Sequence, residues 1–153
     1  MKLPSDLTFS TFDTAVHDRR KVGDILAAAL GNPSPERLAG LFDVYGATPD
    51  RTLYVAECDG QPVGVIGVQK ADGPGGLIVH LAVHPDFRRR GIGRYLIDAA
   101  TEARGLTAVT AETDQDAVEF YRACGFDMRE IGSPWPDVRR FRGLRTRART
   151  EVD

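Results

Sequence analysis

Along this chain the apolar positions switch repeatedly between the two-residue period of a strand and the 3.6-residue period of a helix. Residues 7–12 alternate and predict a first strand. Over 18–30, Val22, Ile25, Leu26 and Ala29 fall on one helical face, and Gly31 and Asn32 supply the stop. Ser34, Pro35 and Glu36 open a second helix with a cap residue, a first-turn proline and an early acid. Leu38, Leu41, Phe42 and Tyr45 form its inner stripe, and Gly46 closes it. Residues 52–58 and 62–69 read as two strands around an Asp59-Gly60 hairpin turn. A Gly-rich turn over 71–76 then leads into 77–83, LIVHLAV, a buried strand that Pro85 stops. These three strands form an antiparallel meander. From Gly93, Leu96, Ile97, Ala99, Ala100 and Ala103 recur at helical spacing. A strand over 107–112, a helix over 115–124 and strands over 126–131 and 138–144 complete the pattern. Residues 145–153 are polar and read as a frayed tail.

A chain of 153 residues with no internal repeat makes one domain, 1–153, with one proper core. The formal net charge of −2 removes any global argument for nucleic acid or a membrane surface. No apolar run approaches a bilayer span, and Met1-Lys2-Leu3-Pro4 does not open a signal peptide. Cys58 and Cys124 are the only cysteines and lack metal-ligand spacing, which predicts reduced thiols, a cytoplasmic location and no metal site. Lysine occurs only at 2, 21 and 70, so arginine is left to make the phosphate contacts.

The strand-loop-helix unit over 77–103 carries the chemistry. A helix leaves its first N–H groups without partners, and its dipole adds partial positive charge there. Gly91 and Gly93 have no Cβ to keep an anion off that backbone, with Ile92 between them. Arg88, Arg89, Arg90 and Arg94 surround it with charge-assisted donors. The pattern predicts a diphosphate site, against the alternative of a glycine loop with a solvated arginine cluster.

Arg88-x-x-Gly91-x-Gly93, preceded by LAVHP, resembles the Gln/Arg-x-x-Gly-x-Gly/Ala signature of the GNAT family of N-acetyltransferases. Residues 116–126, DAVEFYRACGF, resemble that family's later helix, which ends in a Tyr and then Gly-Phe. The two blocks stand in the family's order and spacing, and the resemblance covers roughly 52–141. It implies an α+β, three-layer GNAT fold, with a mixed, mostly antiparallel sheet of about six or seven strands and helices on both faces. It also implies an acetyl-CoA-dependent N-acetyltransferase, acting by direct transfer on a primary amine of a small molecule or protein. Acetyl-CoA is then the co-substrate, no membrane or nucleic-acid partner is expected, and the protein is a monomer or homodimer.

Acyl transfer from a thioester to an amine needs a held cofactor, a polarised carbonyl, a neutral amine and a thiolate that can leave. The resemblance implies that the backbone of Leu81, Ala82 and Val83 binds the pantetheine arm like an added strand. This requires the strand to part from its neighbour over 107–112. By the same resemblance, Tyr121 lies beside the cofactor sulfur and is the general acid, since a phenol is protonated at neutral pH. For the base, Glu112 sits at a strand end near the cleft, and His80 and His84 titrate in the right range. Alternation puts Leu77, Val79, Leu81 and Val83 on one face and His80 on the other, where it reads as a satisfied core histidine. Water or a residue of the second helix remains open as the base. Seven residues before Tyr121 the family usually has Asn; here Asp114 accepts but does not donate, and serves the cofactor or caps the helix. Trp135, the single tryptophan, stands in a loop that in the family often walls the acceptor cleft.

Two other readings stay in view. Gly91-x-Gly93 followed by Glu112 loosely fits a dinucleotide fingerprint. Leu96 at its third glycine position and the polar insert 84–90 argue against it. A CoA-binding or partner-binding domain without turnover also fits.

Overall fold

The computed structural model describes residues 3–30, 33–71 and 73–146. The elements run β1 (Thr8–Thr11), α1 (Arg19–Ala27), α2 (Pro35–Ala47), β2 (Arg51–Cys58), β3 (Gln61–Lys70), β4 (Gly75–Val83), a 3-10 turn (Pro85–Phe87), α3 (Ile92–Ala103), β5 (Ala108–Asp114), α4 (Val118–Ala123), β6 (Asp127–Ile131) and β7 (Arg140–Thr146). They build one seven-stranded sheet in the order β1-β2-β3-β4-β5-β7-β6. Every neighbouring pair is antiparallel except β4 and β5, which α3 connects as a crossover.

Strand alternation sorts the core into two layers. Leu53 and Val55 of β2 join Val65 and Ala82 beneath Val22, Ile25 and Leu26 of α1. Tyr54 and Ala56 point the other way, to Ile92, Leu96, Ile97 and Ala100 of α3. Gly64 lets α3 lie close on β3, since a Cβ there would sit 2.9 Å from Leu96 Cδ1. Local signals act as the residue types require. Asp18 caps α1 through the N–H groups of Arg20 and Lys21, and Ser34 Oγ accepts from Arg37 N at 3.1 Å. Asp59 and Gly60, both at positive φ, close the β2–β3 hairpin.

Several boundaries move from the sequence expectation. α1 stops at Ala27 and continues only as 3-10-like turns, Ala28 N bonding Ile25 O; its expected stop, Gly31 and Asn32, lies outside the described residues. α4 starts at Val118, because 115–117 form a turn rather than helix. β5 extends through Asp114, since β7 pairs with it to that point. Two residues of the expected tail are strand instead. Arg145 and Thr146 close β7, and the Arg145 guanidinium reaches Asp98 of α3; the rest of the expected tail lies outside the described residues.

The alternation expected in β4 also fails. Gly67 faces His80 and Val68 faces Ile78, so Val79 is bulged out of register. The bulge puts Ile78 on the α3 face together with Leu81 and Val83. His80 remains on the opposite face, as expected, because the bulge lies before it.

Candidate active site

The bulge marks where β4 and β5 separate. They pair only from Gly75–Ile78 to Ala108–Ala111. Beyond that, β4 stays on β3 through Val83 while β5 stays on β7 through Asp114. A wedge opens between them, lined by the facing edges of Val79–Val83 and Glu112–Asp114. The Val83 carbonyl accepts from Arg88 Nε at 3.3 Å, so it faces the wedge rather than β3. The period of two then turns the backbone of Leu81 the same way. That of Ala82 turns toward β3, where its partner is Val65.

At the open end stands the N-terminus of α3. Gly91 is its cap residue at φ 82°, with no side-chain cap, so the first amides keep free N–H groups. Arg89 also takes positive φ, at 63°. The two glycines differ. A Cβ on Gly91 would meet only Leu3, at 3.5 Å, whereas one on Gly93 would lie 2.8 Å from Phe120 Cζ. Gly93 therefore serves the close approach of α4 to α3, and the open backbone is at Gly91. The arginines divide as well. Arg88 binds Val83 O, Arg90 lies over the Phe87 ring, and Arg94 Nη1 donates to Ala123 O at 3.4 Å. Arg89 is exposed.

Tyr121 follows Phe120 on α4 and is buried, with its ring edge-on to Phe120 and Phe126. Among the described residues nothing hydrogen-bonds its hydroxyl. Burial pushes its pKa up to about 12. Asp114 Oδ1 accepts from Asp116 N at 2.9 Å, which forms the turn before α4. It does not cap the helix; Ala117 holds the cap position without a side-chain bond. Glu112 is on the face away from α3 and takes both Nε and Nη2 of Arg142, at 3.2 and 3.0 Å.

His80 occupies that same face across the wedge. Its Nδ1 lies 2.7 Å from the Tyr45 hydroxyl, which α2 carries over β3. Gly67 makes the passage possible, because a Cβ there would stand 1.6 Å from Tyr45 Oη. Burial raises the Tyr45 pKa, and burial together with Arg51 and Arg37 lowers that of His80. Tyr45 also lines a cavity of about 640 Å³ with Phe12, Asp13, Arg19, Asp43 and Arg51. His84 lies beyond β4, its Nδ1 accepting from Asp86 N at 3.1 Å.

The sequence profile described as an acetyltransferase (GNAT) domain matches residues 49–128, from β2 through α4 into β6. The chain belongs to the GNAT acetyltransferase family. Among its relatives is a peptidyl-lysine N-acetyltransferase of Salmonella typhimurium, 34% identical over 96 residues, 58% of this chain and 63% of that protein. An uncharacterized N-acetyltransferase of Methanocaldococcus jannaschii is 33% identical over 97 residues, 54% of this chain and 42% of that protein. The match thus spans less than two thirds of either relative. A solved aminoglycoside 6′-N-acetyltransferase complexed with coenzyme A shares the fold at a TM-score of 0.75 and 17% identity, over 91% of this chain and 96% of that one. A GNAT acetyltransferase from Elizabethkingia anophelis with acetyl-CoA bound aligns at 0.68 and 18% identity, over 94% and 99%.

Two parts of this candidate site were not foreseen. One is the Tyr45–His80 contact, whose sequence signal is a glycine inside the apolar β3 run, where a bare Cα invites a side chain from another element. The other is the seating of the β6–β7 loop. Gln115 accepts from Arg139 N at 2.8 Å and donates to Asp137 O at 3.3 Å, which fixes that loop beside the wedge. The loop presents Trp135 at 57% exposure.

Proposed function

We propose that this protein is an acetyl-CoA-dependent N-acetyltransferase that moves the acetyl group directly to a primary amine of a small molecule or protein. The observation that carries the reading is the wedge between β4 and β5, which opens beside an uncapped helix N-terminus. Leu81 and Val83 offer strand edges to a pantetheine arm, whose amides add to a sheet edge as a peptide would. The amides from Gly91 to Gly93 and the guanidiniums of Arg88, Arg89, Arg90 and Arg94 face the diphosphate. Ala82 supports the arm through its packing with α1, and Asp114 presents its second oxygen to an arm amide.

The chemistry follows from the same wedge. A freed β4 N–H polarises the thioester carbonyl, as an oxyanion donor does. Tyr121, held protonated by burial, gives its proton to the departing sulfur. Glu112 flanks the amine from β5, paired with Arg142. No metal enters this scheme. No helix among the described residues is long and apolar enough to cross a membrane. The two cysteines are free thiols, in keeping with a cytoplasmic enzyme.

The test is a melting curve with acetyl-CoA and with NAD(H), followed by a free-thiol assay over polyamines, aminoglycosides, amino acids and peptide N-termini. Acetyl-CoA raises Tm and at least one amine releases CoA thiol if the reading is right. A shift with NAD(H) alone makes the chain a dinucleotide module. An acetyl-CoA shift with no turnover makes it a non-catalytic CoA-binding domain.

A further inference from the structure

The chain holds three histidines, and they are built differently. His17 is buried with both ring nitrogens bonded: Nε2 lies 2.9 Å from Ser10 Oγ, and Nδ1 accepts from Asp13 N at 2.9 Å. That is a histidine used as structure. His84 stands outside the wedge and closes the turn after β4. His80 is half-buried and uses only Nδ1, on Tyr45. Tyr45 approaches from over β3, so the other edge of the ring is directed away from β3, toward the side on which β5 has parted. No described residue bonds its Nε2.

The placement along β4 fits the chemistry. Ile78 is the last residue paired with β5, Val79 is the bulge, and His80 follows. The imidazole therefore stands where the wedge begins, on the face opposite Leu81 and Val83. Glu112 flanks the same face, but its carboxylate already takes two N–H groups from Arg142.

We propose that His80 is the proton acceptor of acetyl transfer, and that Tyr45 is a positioning residue whose hydroxyl oxygen accepts from His80 Nδ1–H and leaves the Nε2 lone pair toward the amine. The inference rests on the N-acetyltransferase reading. An ammonium acceptor gives one proton to Nε2 and its nitrogen forms the C–N bond with the thioester carbon. The C–S bond then breaks, and the second proton shed by nitrogen ends on the CoA sulfur through Tyr121. His80 later returns its proton to solvent. The groups around His80 agree with this role. Tyr45 and Arg37 act from α2 and Arg51 from β2, Gly67 opposes it on β3, α1 brings an apolar face, and Glu112 lies across the wedge. Burial first, then the two arginines, lowers the His80 pKa, so the ring is neutral at pH 7 and ready to accept.

The test compares the wild type with His80→Gln, Tyr45→Phe and Glu112→Gln, using acetyl-CoA and the panel amine turned over fastest. Each variant is first checked for its acetyl-CoA melting shift. His80→Gln keeps the shift, loses turnover about 100-fold at pH 7, and recovers much of it at high pH, where the amine arrives neutral. The wild type shows an acid limb with a midpoint below that of an unperturbed imidazole, and the limb is absent in His80→Gln. In Tyr45→Phe the limb moves to lower pH, because the imidazolium has lost an acceptor. The relay is overturned by His80→Gln turnover within threefold of wild type, by a limb that moves upward in Tyr45→Phe, or by a loss confined to Glu112→Gln. A wild type that neither shifts with acetyl-CoA nor acetylates any amine overturns the parent reading, and the relay with it.

Discussion

Gly67→Ala tests the contact between Tyr45 and His80. The new Cβ would lie 1.6 Å from Tyr45 Oη and 2.6 Å from its Cζ, so the ring must swing off the sheet. Losing the bond to His80 costs about 1 kcal/mol. Re-exposing part of a half-buried ring costs on the order of 1–2 kcal/mol. Removing glycine from a strand interior offsets about 0.5–1 kcal/mol of that. The expected net loss is about 1–2.5 kcal/mol, or a Tm lower by about 2–10 °C for a chain of this size. Urea unfolding followed by circular dichroism measures it; Trp135 is a poor reporter because it is exposed. In a Tyr45→Leu background the same glycine change meets no hydroxyl, and its cost falls to near zero or reverses. The two substitutions therefore couple by more than about 1 kcal/mol. A Gly67→Ala protein as stable as its parent, or one with equal cost in both backgrounds, refutes the notch.

Gly91→Asp puts a carboxylate against the open amides of α3 at a position with φ 82°. The acetyl-CoA melting shift disappears, and an undiminished shift moves the diphosphate elsewhere. Tyr121→Phe leaves that shift intact and lowers turnover at least tenfold, about 1.4 kcal/mol of barrier. Because the Tyr121 pKa is about 12, wild-type activity shows no fall from phenol ionisation between pH 7 and about 10; unchanged turnover in Tyr121→Phe returns the residue to a packing role.

Local signals made much of the architecture legible. The caps at Asp18 and Ser34, the Asp59-Gly60 hairpin and the run into Pro85 act within a few residues of where they are written, so the meander and the helices follow from them. The strand-loop-helix unit was likewise readable, with Gly91 at a helix start. What escaped depends on neighbours far away in the chain. Strict alternation along β4 hides the Val79 bulge, because a bulge is a property of two strands and not of one. Gly93 looks like Gly91 in sequence, yet one meets Phe120 of α4 and the other does not. The partner of His80 sits on α2, and Glu112 gains its arginine from β7. Candidate residues were readable by type; what holds each of them was not, because that is fixed by groups the sequence does not set side by side.

The seam between β4 and β5 is four residue pairs long, and it is the one parallel junction among the described strands. The meander closes through tight turns, but the seam waits for the whole of α3 to be laid down. Its partners lie far apart in the chain, so contact-order reasoning places it after the two hairpins of the meander during folding. A molecule bound astride that seam braces two halves that are otherwise stitched by very few bonds. Its stabilisation is then spread over both limbs of the sheet, and slowed amide exchange would be felt as far away as β6.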